Sequence, residues 1–93
     1  MQFEWDKGNL KKNLKKHGIT DKESEEIFNN KPLLVSLDKR HSTKEEIRYR
    51  ALGRTDANKV LFISFTTRDR KVRIILARKA SRKERNKYAK KET

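Results

Sequence analysis

Three segments in the second half of the chain, EIRYRALG (46–53), KVLFISFT (59–66) and KVRIILA (71–77), are dense in β-branched and aromatic residues. The connections between them, GRTDANK and TRDRK, are short and carry turn residues, so the spacing predicts consecutive antiparallel strands. LLVSLD (33–38) has the same character and adds a fourth strand. VLFISF is apolar at successive positions, which marks a central strand covered by helices on one side and by something else on the other.

The rest of the chain supplies the cover. Phe3-Glu4-Trp5-Asp6 alternates apolar and polar as a short opening strand does. Asp6 then caps a predicted helix from about Lys7 to His17, with Leu10 and Leu14 on one face; Gly18 stops it, because glycine tolerates the left-handed C′ conformation. Thr20 with Glu23 forms a capping box for a second, acidic helix running to about Asn30, and Pro32 forbids its continuation. Ser81 with Glu84 forms another capping box and opens a helix to Lys91. The predicted order is β-α-α-β-β-β-β-α. This is an α+β fold, a small antiparallel β-sheet with two N-terminal helices and one C-terminal helix, in a single domain spanning 1–93.

Composition narrows the function. Of the 93 residues only 32% are hydrophobic and 42% are charged. Trp5, Ile27, Phe28 and the strand aliphatics nonetheless supply a core that a disordered chain lacks. There is no cysteine, hence no disulfide framework and no thiolate metal site. The apolar runs are too short to span a bilayer, and MQFEWDKG lacks the basic-then-apolar order of a signal peptide, so a cytoplasmic location and no membrane partner are expected. The formal net charge is +13, and residues 68–93 hold twelve Lys or Arg against three acids. Such an imbalance predicts a polyanionic partner, nucleic acid first.

Metal and cofactor chemistry have no motif here. The two histidines stand far apart without HExxH spacing, and Gly8, Gly18 and Gly53 are isolated and form no phosphate loop. Catalysis would then run on Lys, Arg, His and Glu. That set suffices for RNA cleavage without metal or cofactor, since the substrate's 2′-hydroxyl is the nucleophile and the protein needs only proton carriers and cations. His17 and His41 are the candidate near-neutral groups, and Glu46 is a candidate base. Arg48 and Arg73 are expected to meet on one sheet face and grip a phosphate through forked donors. Strand alternation brings Arg73 and Arg78 to the same face only if the last strand ends or bulges before 78. Two plainer readings stand beside these: His17 as a cation at a helix C-terminus, and Glu46 with Arg48 as an ion pair between neighbours.

The terminal helix raises its own expectation. Beyond its cap, only Tyr88 and Ala89 in 81–91 are apolar, too little for a stripe of its own. It reads as an element that faces a partner, mobile until that partner covers it.

The strings FEWD (3–6), Asn13 with KHG (16–18), HS (41–42), Glu46-x-Arg48, Gly53, RIIxAR (73–78) and ER-x-x-Y (84–88) occur together in one order. From Phe3 to Tyr88 the chain resembles the BrnT family of toxins from type II toxin–antitoxin modules, departing at Leu76, where Ser is usual. The resemblance implies a RelE/ParE-type toxin fold and a ribonuclease that arrests growth. It also implies neutralisation by a BrnA-type ribbon-helix-helix antitoxin, through which alone the toxin meets operator DNA. On this reading His17, Glu46, Arg48, Arg73 and Arg78 are the catalytic candidates. Lys12, Lys16, Arg40, His41, Lys79, Arg82 and Lys83 form a basic RNA-binding surface, and Arg82, Arg85 and Tyr88 meet the antitoxin. The alternative is a non-catalytic basic module that binds nucleic acid within a repressor complex.

Overall fold

A computed structural model describes residues 2–92, with the side chain of Glu92 outside the description. The elements are β1 (Gln2–Glu4), α1 (Lys7–His17), α2 (Asp21–Glu26), β2 (Leu34–Leu37), β3 (Arg48–Arg54), β4 (Val60–Arg68), β5 (Lys71–Lys79) and α3 (Arg82–Glu92). They follow the order expected from the sequence. The sheet order is β1-β5-β4-β3-β2. The meander holds from β2 to β5, where every neighbouring pair is antiparallel. It does not extend to β1, which pairs parallel with β5, Phe3 opposite Val72. A parallel partner requires a crossover, and α1 and α2 supply the first part of it.

The helix ends follow local chemistry. The Asp6 carboxylate accepts the N–H of Gly8 at 2.8 Å and of Asn9 at 3.3 Å. Gly18 closes α1 at φ 68°, a conformation that glycine takes without the Cβ penalty. The Thr20–Glu23 capping box is formed in both directions, as expected. α2 ends at Glu26, short of Asn30, because Ile27 drops into the core against β3. A Cβ at Gly53 would lie 2.8 Å from the Ile27 Cβ, so only glycine admits this approach. Asn30 then ties the following turn to β3, donating to the Arg54 carbonyl at 2.9 Å.

Both faces of β4 are used. Leu61, Ile63 and Phe65 join Ile19, Ile27, Ala51, Val72, Ile74 and Ala77 in the main core under α1 and α2. Phe3, Phe28, Phe65 and Tyr49 extend it as a chain of edge-on and stacked rings with centroids 5.3–5.4 Å apart. Asn13 of α1, itself buried, accepts the Ala77 N–H at 3.2 Å, where β5 runs on past the end of β1. Phe62, Ser64 and Thr66 point to the opposite face, and one end of that face is covered by α3.

The expectation that α3 has nothing to lie against is overturned. Tyr88 is fully buried with Leu52 and Ala80, and Leu34, Val60 and Phe62 pack against this second cluster. Its hydroxyl donates to the Pro32 carbonyl at 2.6 Å. One aromatic suffices where a stripe is lacking: burying such a side chain contributes about 1.5–3 kcal/mol and the formed Ser81–Glu84 cap adds about 1. Tyr88 is therefore core and offers no surface to an antitoxin.

Ser64 opposes Leu76 while Phe65 opposes Ile74, so Ile75 is an extra residue on β5. This bulge resets the alternation. Arg73, opposite Thr66, and Arg78, opposite Phe62, consequently share one face, the face away from α1 and α2.

Candidate active site

On that face an open groove of about 410 Å³ runs between the β2–β3 loop, the middle of the sheet and the start of α3. Its wall carries Asp38, Arg40 and His41 from the loop, Arg48 and Arg50 from β3, Arg78 from β5 and Glu84 from α3. Phe62, Ser64, Ile75 and Leu76 make the floor. Leu76, the departure from the family string, thus adds apolar surface here.

The loop is held by Ser42. Its hydroxyl donates to the Asp38 carbonyl at 2.6 Å and accepts the Arg48 N–H at 2.9 Å, extending the β2–β3 ladder beyond its last strand residue. The Asp38 N–H donates to the Arg48 carbonyl at 2.9 Å. Asp38 then organises His41: one carboxylate oxygen accepts the His41 N–H at 3.3 Å, and the other lies 2.9 Å from His41 Nδ1. Desolvation, the largest single influence, would raise the Asp38 pKa. The hydrogen bonds from the His41 ring and backbone, with the charges of His41 and Arg50, together hold it below the usual carboxylate value. An ionised Asp38 has no proton to give, so Nδ1 must carry the hydrogen of this contact. That leaves Nε2 as the ring's remaining nitrogen. Asp38 is 10% exposed at its side chain and His41 60%, a buried anchor beneath an accessible imidazole.

Beside Arg40 of the loop, three arginines from the sheet line the groove with this pair. Arg48 Nε donates to Glu46 Oε1 at 2.8 Å, with both side chains about one-third exposed. Arg50 Nη2 donates to the Leu37 carbonyl at 3.3 Å. Arg78 lies over the Phe62 ring, 4.1 Å from its centroid, and forks onto Glu84 at 2.8 and 3.0 Å. The Arg78 bonds first, and then the Ser81 N–H, hold the Glu84 carboxyl below its ordinary value against partial desolvation.

Of the residues singled out from the sequence, the structure brings Arg40, His41, Arg48 and Arg78 together. Glu46 faces a neighbouring depression with Thr66 and Arg68 and reaches the groove only through Arg48. Arg73 shares the face but not the groove: its guanidinium lies 3.2 Å from Asp6, fastening β5 to the start of α1. Arg48 and Arg73, expected to meet on one phosphate, do not line one groove; Arg48 shares its groove with Arg50 and Arg78 instead. His17 lies in the last turn of α1 and does not line the groove. Lys12, Lys16, Lys79, Arg82 and Lys83 are exposed outside its wall, and Arg85 donates to the Ala80 carbonyl at 2.9 Å.

Sequence reasoning missed Asp38 and Arg50. Both left a signal: Asp38 precedes His41 by three residues, a turn spacing, and Arg50 follows Arg48 at the strand period. Among the described residues no three His, Cys, Asp or Glu side chains converge as a metal site would require. No described helix is long and apolar enough to cross a membrane.

A search of curated proteins gives no match. The fold is similar to that in the 1.1 Å crystal structure of the Brucella abortus ribonuclease toxin BrnT, with a TM-score of 0.61 at 21% identity, covering 88% of this chain and 99% of that one. The family model described as "Ribonuclease toxin, BrnT, of type II toxin-antitoxin system" matches residues 5–84. With that match spanning most of its length, the chain belongs to the BrnT family of ribonuclease toxins of type II toxin–antitoxin systems.

Proposed function

We propose that this toxin cleaves RNA in the groove through the substrate's own 2′-hydroxyl, with His41 as the proton carrier. The observation that carries this reading is the His41–Asp38 pair beside Arg48, Arg50 and Arg78 in one groove. Neutral His41 accepts the 2′-hydroxyl proton at Nε2 while Asp38 fixes the ring. The 2′-oxygen bonds to phosphorus, the bond from phosphorus to the 5′-oxygen breaks, and the departing oxygen takes a proton from water in the open groove. The arginines balance the negative charge that grows on the phosphoryl oxygens. Such a reaction needs no metal and leaves a 2′,3′-cyclic phosphate.

The biological setting in this proposal is growth arrest in the cytoplasm, relieved by a BrnA-type ribbon-helix-helix antitoxin that alone brings the toxin to operator DNA. Family membership supports an antitoxin partner and an RNA substrate. The test is incubation of purified protein with end-labelled RNA in excess EDTA, followed by end-group analysis. Cyclic or 3′-phosphate ends are the expected product. Cleavage that EDTA abolishes and a divalent ion restores would overturn the metal-independent route, and binding without cleavage would favour the basic-module reading.

A further inference from the structure

We propose that the free edge of β2 is a strand-addition site, and that its occupant is an extended antitoxin segment alternating apolar with acidic residues. The inference rests on the toxin–antitoxin reading and deepens it by naming the surface and the chemistry of the partner.

Among the described residues β2 ends the sheet, with β3 on one side and no strand on the other. The bond from the Asp38 N–H to the Arg48 carbonyl sets the phase of the ladder. Two-residue alternation then turns the backbone groups of Leu34 and Ser36 toward β3, and those of Val35 and Leu37 outward. Of these outward groups the Leu37 carbonyl already accepts Arg50, and a carbonyl has capacity for a second donor. The side chains match the exposed backbone. Val35 and Leu37 are 51% and 44% exposed, and residues 33–37 (LLVSL) carry no charge in a chain that is 42% charged. Edge strands are ordinarily protected by a charge or a proline within them, and these four residues have neither.

The opposite side of the same strand gives the partner its charge. There a groove of about 490 Å³ separates β2 from α3, floored by Leu34, Leu52 and Phe62 and rimmed by Arg50, Lys87 and Lys91. Among the described residues the single carboxylate on its wall, Glu84, is already bonded to Arg78. A segment added to β2 presents alternate side chains to the two faces. One set meets Val35 and Leu37 and is apolar; the other meets the cationic rim and is acidic. A second copy of this chain fits poorly, because it would bring a net charge of +13 against the same rim. RNA fits poorly as well, since phosphate oxygens gain nothing from aliphatic side chains or outward carbonyls. Arg50 belongs to both grooves, so an acidic side chain seated on the rim also withdraws a cation from the RNA groove.

The experiment is amide hydrogen exchange on the toxin with and without its full-length co-expressed antitoxin. It is accompanied by antitoxin affinity and RNA cleavage for the Val35→Lys, Leu37→Lys double variant. Expected are strong protection of the Val35 and Leu37 amides in the wild-type complex and antitoxin affinity at least about tenfold weaker in the variant. RNA cleavage by the free variant should stay at the wild-type rate, since both residues lie outside the RNA groove. Protection confined to α3 or the His41 loop, or unchanged affinity in the variant, overturns the proposal. Edge protection that rises with toxin concentration alone assigns the edge to a second copy, and protection by RNA alone assigns it to substrate; either overturns it. The wild-type exchange result stands even if the variant folds poorly. If neither protein cleaves RNA while the antitoxin still protects the edge, the catalytic reading fails and this one survives.

Discussion

Arg78 and Glu84 meet as a fork on a fork, with the guanidinium resting on Phe62 and the carboxylate also accepting the Ser81 N–H at 2.8 Å. One carboxylate thus caps α3 and steers a groove arginine. Its pKa lies below the ordinary 4.5, the Arg78 bonds being the largest cause. A depressed folded-state pKa means that the stabilisation is fully present above the unfolded value and is lost as pH falls through the folded one. Glu84→Gln is therefore expected to lower the thermal midpoint at neutral pH. The gap to wild type should close as pH is taken down through the carboxylate range. Thermal melts across that range check this, and a gap independent of pH would show that the carboxylate charge contributes nothing.

His41→Gln should reduce cleavage by about 10²–10⁴-fold, the usual worth of a positioned proton carrier, with little change in thermal midpoint because the ring is mostly exposed. Asp38→Asn acts through His41, so it should lower kcat while leaving KM nearly unchanged. An Asp38→Asn protein with raised KM and normal kcat would instead make Asp38 a support for substrate binding.

How far this site could be read in advance depends on what each signal encodes. Helix starts and stops at Asp6, Gly18, Thr20 and Ser81 are local events, and the structure forms them where they were expected. The parallel pairing of β1 is not local: Phe3 and Val72 meet across nearly the whole chain, and nothing in FEWD specifies its partner. Alternation alone left open whether Arg73 and Arg78 share a face, because a one-residue bulge at Ile75 reverses every position after it. Tyr88 was misjudged for a related reason. A search for an apolar stripe overlooks a helix held by one fully buried ring and the carbonyl of a residue 56 positions away. The His41–Asp38 pair was half visible, since His41 stood out while Asp38 looked like an ordinary turn residue.

Arg48 and Arg73 occupy one row, both opposite Thr66, yet their surroundings separate their roles. Arg48→Ala should lower cleavage at least about tenfold, roughly 1.4 kcal/mol of transition-state stabilisation, with little loss of stability. Arg73→Ala should do the reverse, lowering the thermal midpoint by releasing Asp6 while leaving cleavage near wild type. Parallel kinetics and melts on the two variants check this. Equal loss of activity in both would return Arg73 to the phosphate grip expected from the sequence.

Tyr88 gives a test of α3 in the free toxin. Its ring fills the second core with Leu52 and Ala80, and its hydroxyl reaches the Pro32 carbonyl at 2.6 Å. Tyr88→Phe keeps the ring and removes the donor, for an expected cost of about 1–2 kcal/mol. In a domain of this size that lowers the thermal midpoint by about 4–8 °C per kcal/mol. Tyr88→Ala also empties a fully buried site, and about 3–5 kcal/mol is expected, as for other large aromatics in cores. An eleven-residue helix is marginal in water without such a contact, so the Ala variant should lose amide protection along α3 before the sheet opens. In the wild type α3 should be protected without any antitoxin present. Rapid exchange throughout α3 in the free wild-type protein would show that the helix waits for its partner after all, and that Tyr88 packs only when the antitoxin holds it down.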